Sequence, residues 1–113
     1  WSLPGGKQEL GESTIETMIR EVREETGLKA EPGVLLGVID YIERTENIIE
    51  YHYTLIDYLA ETNEDTPIAG SDAKEARFFT LEEALELNLW SETKRMILRG
   101  AEKKGLTPTS TMP

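Results

Sequence analysis

The chain has 113 residues, no cysteine and a formal net charge of −10. That length suits one domain, and the lack of thiols excludes disulfides, thiol nucleophiles and cysteine-held zinc, so any metal would be held by oxygen. The lack of cysteine also fits a cytoplasmic setting, which is expected, while the acidic balance disfavours nonspecific contact with nucleic acid or an anionic membrane and no apolar run reaches the roughly 20 residues of a membrane span.

In chain order, a Leu-Pro-Gly-Gly turn at residues 3–6 leads to Ser13, with Glu16 three positions on, the signature of a capping box that starts a helix. Gly27 supplies the stop. Ile15, Met18, Ile19 and Val22 recur at i, i+3, i+4 and i+7 and form an apolar face. Glu21, Glu24 and Glu25 fall at i, i+3 and i+4 on another stripe, so three carboxylates converge. Like charges at that spacing cost a bare helix a few tenths of a kcal/mol per pair. A hard cation such as Mg²⁺, which takes carboxylate oxygens, water and substrate phosphates, gives a reason to keep them together, whereas a solvated acidic face is the plainer alternative.

Pro32-Gly33 reads as a turn, followed by strands over 34–43 and 48–60 with a polar break at 44–47, hence a hairpin. His52 lies on the second strand, where a hydrogen-bonded structural role is favoured over acid–base work. Residues 61–74 have loop composition and lead to a short strand expected over 76–79. Thr80 with Glu83 caps a short helix to Leu87, and Ser91 opens a longer one ended by Gly105. Leu85, Leu89, Trp90, Met96 and Ile97 are expected in the core, and residues 106–113 as a disordered tail after a single domain over 1–105. Trp1, with Phe78 or Phe79 opposite, could stack on a nucleobase, although packing is the commoner role for each ring taken singly.

The array Gly6, five residues, Glu12, seven residues, Arg20-Glu21-Val22, one residue, Glu24-Glu25, one residue, Gly27-Leu28 is similar to the Nudix box at every defined position. The resemblance implies an α+β fold, an α/β/α sandwich with a mixed sheet. It also implies a hydrolase that cleaves the pyrophosphate bond of a nucleoside diphosphate linked to another moiety, or acts on a nucleoside triphosphate. Carried over position by position, Glu21, Glu24 and Glu25 resemble the metal ligands, with the Gly6 carbonyl a further one. Arg20 resembles the residue that orients the glutamates, with Glu12 as its partner. Mg²⁺ is the implied cofactor, with Mn²⁺ able to substitute; it offsets the diphosphate charge and acidifies a water whose proton a carboxylate accepts. Glu75 or Asp72 is best placed for the further carboxylate that such enzymes carry in the corresponding loop, and Trp1, Glu75 and Asp72 are the candidate substrate contacts.

Family members ordinarily place a strand-rich segment before the box, whereas this sequence begins at Trp1, so a fold truncated at its N-terminus is expected, with an exposed sheet edge that invites a homodimer. Outside the box, Glu43 and Arg44 stand where one ADP-ribose group has proline, and the tyrosine of the diadenosine polyphosphate group is missing. The segments 52–60 and 71–79 resemble chains described as ADP-ribose pyrophosphatase or MutT-like. The contrary hypothesis is a nucleotide-sensing or scaffold module without turnover, against which the intact Arg20 to Glu25 core argues.

Overall fold

The computed structural model describes residues 1–70 and 72–106. Five elements follow in the order α1 (Thr14–Thr26), β1 (Glu31–Thr45), β2 (Ile48–Glu61), α2 (Leu81–Glu86) and α3 (Ser91–Lys103). This is an α+β arrangement in which β1 and β2 form a two-stranded antiparallel sheet.

The helix starts follow local chemistry. At α1 the Ser13 side chain accepts from the Glu16 N–H while the Glu16 carboxylate accepts from the Ser13 N–H, and Gly27 closes the helix in the left-handed region at φ 73°. Thr80 and Glu83 repeat the reciprocal pair at α2. Ser91 opens α3 as expected, behind a cap at Trp90 that makes no side-chain hydrogen bond. The hairpin turns at Glu46 and Asn47, both at positive φ, as the right-handed twist of two paired strands favours.

The strands are longer than their composition suggested. Pro32-Gly33 does not turn the chain but begins β1, beside a register shift between Pro32 and Leu35, where a bulge tolerates the missing proline N–H. The segment 76–79 is not a strand. A strand is defined by its ladder, and among the described residues the sheet has only β1 and β2.

The core lies between the hairpin and α3. Leu36 and Ile39 pack on Met96, which is 1% exposed, with Leu55 and Leu59 of β2 half-buried against the cluster. Arg99 of α3 donates to the Leu36 carbonyl at 2.7 Å and ties the helix to β1. Leu85, Leu89 and Ile97 are half-buried. Trp90 was expected in the core but is 40% exposed and packs edge-on against Tyr41, covering the hairpin instead of filling the interior. On α1, Met18, Ile19 and Val22 are half-buried and Ile15 is exposed, while the Thr14 hydroxyl meets the Tyr58 hydroxyl of β2 at 2.6 Å. Among the described residues no helix is long and apolar enough to cross a membrane. Past Leu106 the tail expected over 106–113 lies outside the described residues.

Candidate active site: an acidic cleft at the end of the first helix

The loop from Gly5 to Ser13 folds back along α1 because Arg20 reaches out to hold it. Arg20 Nε and Nη2 donate to the two Glu12 oxygens at 2.6 and 3.0 Å, a bidentate pair, and Nη2 also donates to the Lys7 carbonyl at 2.9 Å. From the same guanidinium Nη1 donates to Glu21 at 2.7 Å and to Glu24 at 3.2 Å, with Glu9 at 3.6 Å. Arg20 thus joins the loop to two of the three clustered glutamates.

Arg20 first, and the Glu9 backbone N–H after it, hold the Glu12 carboxyl down at about 2 from an ordinary 4.5. The same pairing pushes Arg20 further above its already high value. Because the folded-state value lies below the unfolded one, the contribution of Glu12 to stability is complete above pH 4.5 and is lost as the pH falls from there toward 2. Glu12→Gln is therefore expected to flatten the acid limb of a melting-temperature profile in that window. An unchanged acid limb would show that the pair does not act on the fold.

The third glutamate is positioned by backbone. Glu25 accepts from the Gly5 N–H at 2.9 Å. At Gly6 the chain runs so close to Glu21 that a Cβ would stand 2.4 to 2.6 Å from its carboxylate, so any larger residue there would push that carboxylate out of its present place. Opposite, the loop over 62–70 is pinned to the end of α1, where the Ile68 N–H donates to the Thr26 carbonyl at 2.8 Å and the Gly70 N–H to the Glu25 carbonyl at 3.1 Å. This path carries Asp72 to the glutamates. Gly5, Glu21, Glu24, Glu25 and Asp72 line one cleft of about 400 Å³.

Among the described residues no three acidic or imidazole side chains are gathered into a ready-made metal cage. The glutamates share a cleft while leaning on protein donors, Glu21 on Arg20 and Glu25 on Gly5. The donor set nevertheless fits a hard divalent ion, since it consists of carboxylate oxygens facing open space.

A larger cleft of about 590 Å³ adjoins the first and shares Glu25 and Asp72 with it; Trp1, Lys74, Glu75, Arg77 and Phe79 are among its lining residues. Trp1 meets Phe79 edge-on with centroids 4.9 Å apart, and the Arg77 guanidinium lies 4.3 Å from the Phe79 ring centre and 5.7 Å from that of Trp1. Of the two loop carboxylates, Asp72 reaches the acidic cleft and Glu75 only its neighbour. Phe78 is exposed. His52 lines neither cleft and sits exposed on the hairpin beside Asp40 at 3.2 Å.

Sequence reasoning missed the Gly5 N–H, the Lys7 carbonyl, Thr17 and Gly70. The Gly5-Gly6 pair at the start of the box carried a signal for Gly5. No spacing rule marked the other three.

Over residues 1–100 the chain matches the family model described as NUDIX domain. It is 40% identical over 81 residues to an ADP-ribose pyrophosphatase of Methanocaldococcus jannaschii, covering 72% of this chain and 46% of that protein. It is 35% identical over 79 residues to YjhB of Bacillus subtilis, covering 70% of this chain and 38% of that one. It is 34% identical over 112 residues to the mouse bis(5'-nucleosyl)-tetraphosphatase (asymmetrical), covering 96% of this chain and 74% of that protein. The chain thus spans less than half the length of the first two of these relatives. With the family model matched over most of its length and the Arg20–Glu12 pair set against the clustered glutamates, this chain belongs to the Nudix family.

Proposed function

We propose that the chain is a divalent-metal-dependent hydrolase that splits the pyrophosphate bond of a nucleoside diphosphate linked to another moiety. ADP-ribose is the first substrate class and Mg²⁺ the first metal, with Mn²⁺ able to replace it. The observation that carries this reading is the single cleft into which Glu21, Glu24, Glu25 and Asp72 all open. There Glu21, Glu24 and Glu25 would hold the cation, joined by the carbonyl of Gly6, which runs beside Glu21 and does not itself line the cleft, while Arg20 and Glu12 fix their arrangement. When bound, the cation offsets the diphosphate charge and makes a water more acidic. Asp72, which lines both clefts, would accept that proton as the water oxygen bonds to one phosphorus and the P–O–P bond breaks, giving a nucleoside monophosphate and a phosphorylated partner.

The rest of the substrate lies in the larger cleft, where Trp1 and Phe79 offer aromatic faces and Lys74 and Arg77 offer positive charge to an anionic ligand in a chain of net charge −10. The name of the Methanocaldococcus relative supports ADP-ribose, and that of the mouse relative makes dinucleoside tetraphosphates the next class to try. A cytoplasmic setting and a homodimer formed along the exposed strands belong to the same reading.

The test is incubation with ADP-ribose, dinucleoside polyphosphates, NADH, nucleotide sugars and nucleoside triphosphates, in Mg²⁺ and in EDTA, with products separated by chromatography. Monophosphate release from one class, abolished by EDTA, is expected. Nucleotide bound with no turnover of any compound would replace the hydrolase by a sensing module.

A further inference from the structure

We infer that Thr17, a position the box leaves free, is a positioning residue that orients the Glu12 carboxylate and, through Arg20, the glutamates of the acidic cleft. The inference rests on the reading of that cleft as a metal site. Among the described residues Thr17 is the one polar residue in the buried interior, at 8% exposed, so its hydroxyl must find a partner inside the protein. Two acceptors lie in reach, Glu12 Oε1 at 2.8 Å and the Ser13 carbonyl at 3.0 Å, and the hydroxyl has one hydrogen to give. The Ser13 carbonyl already takes the Thr17 backbone N–H at 2.9 Å, and a carboxylate is the stronger acceptor. The hydroxyl therefore serves Glu12.

Glu12 needs such a donor because it precedes the helix. Its own N–H donates to the Glu9 carbonyl at 3.0 Å, a single turn that leaves the side chain free to rotate. Oε1 then gathers the Glu9 N–H at 3.0 Å, the Thr17 hydroxyl at 2.8 Å and Arg20 Nη2 at 3.0 Å, while Oε2 takes Arg20 Nε at 2.6 Å. Arg20 contacts Glu12 through both nitrogens only when the carboxylate plane matches the guanidinium plane. Thr17 fixes that plane from a buried side chain whose hydroxyl is held at Glu12 Oε1 with the Ser13 carbonyl beside it. With the guanidinium so held, Nη1 points at Glu21 and Glu24. A chain of hydrogen bonds thus runs from the helix interior to the cleft.

Thr17→Val keeps the shape and removes the hydroxyl, Thr17→Ser keeps the hydroxyl, and Thr17→Ala is a second deletion should valine impair folding. Two readouts are used, the Mn²⁺ dissociation constant from the electron-paramagnetic-resonance signal of free Mn²⁺, and the Arg20 Nε–H resonance without metal. Loss of the hydroxyl is expected to weaken Mn²⁺ binding roughly 10-fold, the scale of outer groups that orient metal ligands, and to shift or broaden the Arg20 resonance, with serine restoring both. Wild-type Mn²⁺ affinity and an unmoved Arg20 resonance in the valine and alanine variants would overturn the inference, even if their melting temperatures fall. If the wild-type protein itself binds no Mn²⁺, the metal reading fails, and the Arg20 resonance alone then decides for or against the Thr17 relay.

Discussion

Glu24→Gln and Glu25→Gln are each expected to lower turnover of the best substrate by on the order of 10²-fold or more, with the circular dichroism spectrum and melting temperature close to wild type. The amide keeps the size of the side chain and removes the charge that a cation needs. Folding is expected to tolerate the change at both sites. Glu24 is exposed, with a 3.2 Å contact to Arg20, and the oxygen of a glutamine at 25 still accepts from the Gly5 N–H. Glu16→Gln is the matched control on the same helix, since glutamine also completes a capping box and residue 16 does not line the cleft. Steady-state kinetics on the three variants checks this. Full activity in both cleft variants would remove Glu24 and Glu25 as metal ligands.

Gly70→Ala is expected to cost both stability and activity. A Cβ there would stand 1.9 Å from the Glu24 carbonyl oxygen, which is helix backbone and cannot swing aside as a side chain would. Overpacking of this kind costs about 1–3 kcal/mol, and each kcal/mol lowers the melting temperature of a chain this size by roughly 4–8 °C. The alternative to unfolding is release of the loop from α1, which breaks the Gly70 and Ile68 hydrogen bonds and carries Asp72 away from the glutamates. Either way kcat falls. A variant that melts and turns over like wild type would show that the approach of the loop to α1 is not required.

Features decided by neighbouring residues were legible in the sequence. The Ser13–Glu16 and Thr80–Glu83 boxes, the Gly27 stop and the hairpin break expected over 44–47 each depend on a few adjacent side chains, and the structure forms all of them, narrowing the break to Glu46 and Asn47. The three glutamates were legible because helix geometry converts their spacing into a shared direction. Features decided by distant partners were not. Whether 76–79 is a strand depends on a ladder and not on its composition, and Pro32-Gly33 is absorbed into β1 because β2 pairs beside it. The choice of Asp72 over Glu75 for the acidic cleft follows from two backbone hydrogen bonds between the loop and the end of α1, which no spacing in the sequence encodes. Thr17 was invisible for a similar reason, because its partner Glu12 lies outside the helix periodicity that reasoning along the chain follows.

That the acidic cleft is the metal site is tested most directly by titrating Mn²⁺ into the ¹⁵N-labelled protein and recording which amide resonances broaden. Broadening at low Mn²⁺ is expected to centre on Gly5, Gly6, Glu21 to Glu25 and Asp72 and to spare the hairpin around Asp40 and His52. Uniform broadening, or broadening centred anywhere other than that cleft, would contradict it.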